Sequence, residues 1–135
     1  MSRQADLERL RVVAGILCDT AGRVLITERV DDGPFQGLWE FPGGKIGHDE
    51  SKQAALAREL GEEIGVEPRL SRHFMSLQHD YPDRRVWIDF FLITEWQNEP
   101  MGLEGQQLRW VAIDKLDAEQ LLPADMPVIA ALKSR

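Results

Sequence analysis

Three glutamates, Glu59, Glu62 and Glu63, stand at positions i, i+3 and i+4 within the stretch 44–66, GKIGHDESKQAALARELGEEIGV. On a helix of 3.6 residues per turn this spacing puts their carboxylates within an arc of about 100° on one face. No basic residue stands among them, and like charges so placed each weaken a helix by about 0.2–0.5 kcal/mol. A hard divalent cation removes that penalty. Magnesium prefers oxygen ligands, keeps several waters, and is typically held by one or two carboxylates together with substrate phosphates. A solvated helix also presents an acidic face, so the residues around the three glutamates must decide between the two readings.

Reading outward gives Gly44, five residues, Glu50, seven residues, then Arg58-Glu59-Leu60, any residue, Glu62-Glu63, any residue, and Gly65-Val66. A chance match to this pattern is on the order of one in 10⁹ per starting point at average residue usage. The pattern is that of the Nudix box, and the chain resembles the Nudix hydrolases. The resemblance implies an α/β/α sandwich around a mixed β-sheet, with hydrolysis of a phosphoanhydride in a nucleotide. Magnesium is the implied cofactor, with manganese as a substitute. It makes Glu59, Glu62 and Glu63 the metal and catalytic carboxylates, and Arg58 the residue that orients them. The backbone at Gly43 joins the metal site, and Lys45 is suited to a phosphate oxygen. Further phrases, LWEFPGGKI, YPDR at 81–84, EGQ at 104–106 and LLPADMPVIAALK at 121–133, resemble the MutT branch. Its members hydrolyse oxidised guanine nucleoside triphosphates such as 8-oxo-dGTP. Arg29 and Arg84 are then expected to contact the nucleotide, Tyr81 to line the base pocket, and Glu104 to bind metal or act as base. Glu63 and Glu104 both stay open as the base.

One position departs from the branch. Where its best-known members carry an asparagine in the phrase PPAN, this chain has Asp125. An amide offers a donor and an acceptor to the O6 and N7-H of 8-oxoguanine, whereas an ionised carboxylate only accepts. Recognition in the same pose requires a protonated Asp125, which burial would favour. The alternative role is a cap for the last helix. Other nucleotides (CTP, dCTP, ADP-ribose, dinucleoside polyphosphates) remain open as substrates. A non-catalytic nucleotide sensor is a third reading, and the complete set of box glutamates speaks against it.

Length and composition bound the rest. At 135 residues the chain reads as a single domain over 1–135. Hydrophobic residues at 43% and charged residues at 29% fit a globular protein. The net charge of -7, with no run of basic residues along the sequence, argues against a nucleic-acid polymer as partner and leaves a small nucleotide. Cys18 has no second cysteine to pair with. The histidines lack zinc-ligand spacing, the amino terminus lacks an apolar signal core, and no apolar run reaches the roughly 20 residues of a membrane helix. A cytoplasmic monomer is expected.

These residues need elements to position them. Residues 11–18 and 23–29 read as a hairpin, and 30–45 as loop apart from an extended 39–41. Ser51 reads as the N-cap of the helix, with Leu56, Ala57, Leu60 and Ile64 as its buried stripe. Strands are expected at 73–81 and 85–96, the second with clear alternation. A short strand at 108–113 and helices at 114–121 and 127–133 complete the chain. The four tryptophans are expected to pack in the core or on the sheet.

Overall fold

The alternation in residues 85–96 builds the strand at the centre of the molecule. In the computed structural model, which describes residues 8–135, the elements are β1 (Glu8–Leu17), β2 (Arg23–Glu28), β3 (Trp39–Glu40), β4 (Gly43–Lys45), α1 (Lys52–Ile64), β5 (Glu67–Tyr81), β6 (Arg84–Gln97), β7 (Leu108–Ala112) and α2 (Met126–Lys133). Short 3-10 turns occupy Ile113–Ala118 and Pro123–Asp125. The expectation about the amino terminus falls, for residues 1–7, outside the described residues.

A four-stranded sheet runs β4-β1-β6-β5 and a three-stranded one β3-β2-β7. β1 and β6 are parallel and every other strand pair is antiparallel. Because side chains alternate across a strand, β6 feeds two cores. Val86, Ile88, Phe90 and Leu92 join Val128, Ile129 and Leu132 of α2 on one side. Phe91 and Ile93 join Ala55, Leu56, Leu60 and Ile64 of α1 on the other. The result is the expected mixed α/β architecture with flanking helices, its strands divided between two sheets. Among the described residues no helix is long and apolar enough to cross a membrane.

Three local expectations need correction. β1 and β2 do not form a hairpin: they lie in different sheets, and a single Cys18–Val24 bridge joins the ends where the chain turns between them. Residues 113–118 form a 3-10 turn where an α-helix was expected. Ala57 is exposed, and Ala55 takes its place in the buried stripe of α1. Trp39 is buried and Trp96 stacks on Trp110 at 5.9 Å, while Trp87 stands 45% exposed.

Candidate active site

α1 is closed at both ends by its own sequence. The Ser51 hydroxyl accepts the Ala54 N–H at 3.1 Å, and Gly65, at φ 71°, takes the left-handed turn that lets Val66 N–H reach the Leu60 carbonyl. The helix lies close on β1 because Gly15 has no side chain; a Cβ there would stand 2.8 Å from Ile93 and 3.1 Å from Leu60. Gly61, mid-helix, faces open space, and nothing in the structure explains it.

The glutamates are seated by the glycines before the helix. Gly43 N–H donates to Glu63 Oε2 at 3.1 Å. A Cβ on Gly44 would fall 2.4 Å from the Glu59 carboxylate, so the bare backbone of β4 forms the wall of its seat. Arg58 ties the surroundings together. It forks onto Glu50 at 2.8 and 2.9 Å, donates to Glu59 Oε1 at 2.9 Å and to the Lys45 carbonyl at 3.0 Å, and comes within 3.5 Å of Glu62. Those hydrogen bonds, with the Gly47 N–H, pull the Glu50 carboxyl down to about 2. Glu62 itself is exposed.

The loop after β6 brings a fourth carboxylate. Leu103 N–H and the Gln106 side-chain amide both donate to the Glu63 carbonyl, at 3.1 and 3.0 Å, while Glu104 N–H donates to Gln106 Oε1 at 2.9 Å. Glu104 is thereby held beside the end of α1. Burial, followed by the charges of Glu59 and Glu104, pushes the Glu63 carboxyl up to about 8 even though the Gly43 N–H pulls it down.

An all-oxygen set of this kind fits magnesium or manganese. Among the described residues no three of these side chains already converge as a ligand cluster, since Arg58 holds Glu59 and Gly43 holds Glu63. The donor types, the mutual repulsion around Glu63 and the glycine seat nevertheless suit a divalent cation.

A cavity of about 380 Å³ adjoins this end, and Gly43, Gly44, Lys45, Glu63 and Glu104 line it together with Arg29, Tyr81, Arg84 and the buried Asp125. Glu59, Glu62 and Arg58 are not part of this lining. The Arg84 guanidinium lies 5.4 Å from the Tyr81 ring, and its buried Nε makes no hydrogen bond to a described residue, with Asp83 Oδ1 4.0 Å away. Asp125 is 5% exposed, and its Oδ2 also lacks a partner. The side chain makes no capping bond to α2, so the capping alternative is not what the structure shows. Burial, with the Glu40 charge adding, pushes the Asp125 carboxyl up to about 8.

Sequence reasoning missed two residues of this cavity region. Glu40 lines it and pairs with Arg29 at 3.0 Å, and burial raises its carboxyl against the pull of that arginine. Phe35 packs on Tyr81 at 5.8 Å. Nothing in the phrase WEFPGG singles Glu40 out, because a strand of two residues shows no period.

The family model for the NUDIX domain matches residues 8–132, and the chain belongs to the Nudix family. Members of this family typically depend on a divalent metal. Within it, the chain is 38% identical to the 8-oxo-dGTP diphosphatase of Escherichia coli K12, over 94% of this chain and 98% of that protein. It is 32% identical to the CTP pyrophosphohydrolase of the same organism, over 93% and 92%. A solved structure from work on MutT of Aliivibrio salmonicida and Vibrio cholerae superposes with a TM-score of 0.82 at 36% identity, covering 94% of this chain and 98% of that one.

Proposed function

We propose that the protein is a magnesium-dependent nucleoside triphosphate pyrophosphohydrolase whose preferred substrate is 8-oxo-dGTP, cleaved to the monophosphate and pyrophosphate. One observation carries the reading: a single cavity is lined both by carboxylates, Lys45 and bare glycine backbone and by an aromatic, two arginines and a buried acid. The first group, with Arg29, suits phosphates, and Tyr81, Arg84 and Asp125 suit a purine-sized base.

Glu59, Glu62, Glu63 and Glu104 would hold the ion, with the backbone at Gly43 beside them. A bound divalent ion supplies charge neutralisation on the phosphates and a more acidic water. Lys45 and Arg29 bind the phosphate chain. Glu63, whose carboxyl a bound cation would keep ionised, takes the proton of the attacking water. Arg58 holds Glu59 in place through its fork on Glu50. Tyr81 and Arg84 hold the base, and the neutral carboxyl of Asp125 donates to O6 and accepts from N7-H of 8-oxoguanine. Unmodified guanine presents two acceptors there and loses one of these bonds.

A second reading has support from the same residue. Cytosine also offers an adjacent acceptor and donor, N3 and the N4 amine, so the neutral Asp125 carboxyl suits CTP or dCTP as well. Product analysis with 8-oxo-dGTP, dGTP, CTP and dCTP tests both. Pyrophosphate and monophosphate from 8-oxo-dGTP, abolished by chelator, is the expected result; orthophosphate as the product, or turnover in excess chelator, would sink the proposal.

A further inference from the structure

No basic run is visible along the sequence, yet folding makes a basic cluster. β1 and β6 pair in parallel so that Arg9 lies beside Arg85 and Arg11 beside Trp87, and β5 places Gln78 beside Trp87 and Asp80 beside Arg85. Strand alternation turns these side chains away from the catalytic cavity, which Val12, Val86 and Ile88 line from the other face of the same sheet. α1 packs on Val13, Leu17, Phe91 and Ile93, and among the described residues Arg9, Arg11 and Trp87 on the earlier part of both strands are exposed. There Arg9, Arg11, Arg85, Gln78 and Trp87 line a groove of about 420 Å³.

The groove is built against local electrostatics. Arginines directly opposite one another on paired strands repel. Asp80 answers only Arg85, at 3.0 and 3.4 Å, and Arg9 and Arg11 have no ion pair with another described residue. The Trp87 ring, 45% exposed, stands between Arg11 and Gln78. An aromatic face flanked by guanidiniums is a platform on which a base stacks while its phosphates meet the arginines. The overall charge of -7 selects among phosphate-bearing ligands. A polymer carries its charges beyond the groove across an acidic molecule, whereas a free nucleotide keeps its phosphates within it. We propose that this groove is a second nucleotide site, distinct from the catalytic cavity, binding a nucleoside di- or triphosphate with its base on Trp87 and its phosphates on Arg9, Arg11 and Arg85.

The test is a calorimetric titration of dGTP into the full chain in excess EDTA at low salt, repeated with tryptophan fluorescence. Chelator removes the cation through which the catalytic carboxylates meet phosphates; the arginine groove needs none. The expected result is one-to-one binding with quenched fluorescence, weakened about ten-fold by Trp87→Leu and by a similar factor by Arg11→Ala. Magnesium-dependent hydrolysis and circular dichroism stay unchanged in Arg11→Ala, whose side chain is exposed. Inorganic triphosphate binds about ten-fold more weakly than dGTP, because it has no base to stack. Absence of binding, equal affinity in both variants, equal affinity for inorganic triphosphate, or tighter binding of a single-stranded oligonucleotide than of dGTP would each overturn the proposal.

Discussion

Two adjacent glycines are predicted to fail in different ways. A Cβ at Gly44 would stand 2.4 Å from the Glu59 carboxylate, against an ordinary contact near 3.4 Å or more, so the carboxylate must withdraw by about 1 Å. Because it is the end of a flexible side chain, it can do so without disturbing the backbone. Gly44 is not in the left-handed region, and alanine there also reduces the freedom of the unfolded chain. Stability should therefore change by no more than about 1 kcal/mol. Catalysis should not escape, since a displacement of about 1 Å in a positioned group costs on the order of 100-fold, or about 2.7 kcal/mol of activation free energy. At Gly43 the obstacle is backbone: a Cβ would meet the Val13 carbonyl oxygen at 2.0 Å and Ala14 Cα at 2.7 Å. Gly43→Ala must push β4 off β1, at a cost of about 1–3 kcal/mol or more. Thermal unfolding by circular dichroism, alongside pyrophosphate release from 8-oxo-dGTP at saturating magnesium, separates the two. A Gly44→Ala enzyme within two-fold of the parent rate, or one as destabilised as Gly43→Ala, would refute the seat assigned to Glu59.

Four further predictions concern charged side chains. Glu62→Gln and Glu63→Gln should each lower kcat by several orders of magnitude with the fold retained, because an amide brings no anionic charge to the ion; near-normal rates in both would remove these residues from the mechanism. Glu63 and Asp125 keep, up to pH about 8, a proton that the unfolded chain releases above pH about 4, so the folded state binds more protons in that window. In chelator, stability should fall as pH rises from about 4 to about 8, and Glu63→Gln should flatten that fall; a parallel pH profile for the variant would contradict it. For the same reason kcat/KM toward 8-oxo-dGTP should decline as pH rises through about 8, and Asp125→Asn should remove the limb and sharpen selection against dGTP, whereas unchanged selectivity and pH profile would end its role in reading the base. Asp89, 1% exposed, receives Lys52, His73 and Ser76. Asp89→Ala should cost about 2–3 kcal/mol by denaturant unfolding, and a loss below about 0.5 kcal/mol would show the cluster to be idle.

What was legible in the sequence was local or periodic. The helix carrying Glu59, Glu62 and Glu63 follows from its 3.6-residue stripe and the cap at Ser51, and the two-core role of β6 follows from its alternation. The hairpin expected between residues 11 and 29 failed because an apolar strand beside a turn does not reveal its partner. β1 pairs over ten residues with β6, far along the chain. The same long-range pairing hid the basic groove, since Arg9 and Arg11 meet Arg85 only through the parallel register. Glu40 was hidden for a related reason: β3 is two residues long, too short to show a period, and its place is set by pairing with β2. At Asp125 the sequence left capping and base reading open, and only the depth of burial and the absence of a capping bond separate them.

The most direct test of the central claim is a competition measurement of kcat/KM for 8-oxo-dGTP, dGTP and CTP in one reaction at pH 7 with magnesium, read as the three monophosphates. 8-oxo-dGMP is expected to form first, with a preference over dGTP of about ten-fold or more for the one hydrogen bond that guanine leaves unmade. Equal consumption of 8-oxo-dGTP and dGTP, or exclusive consumption of CTP, would contradict it.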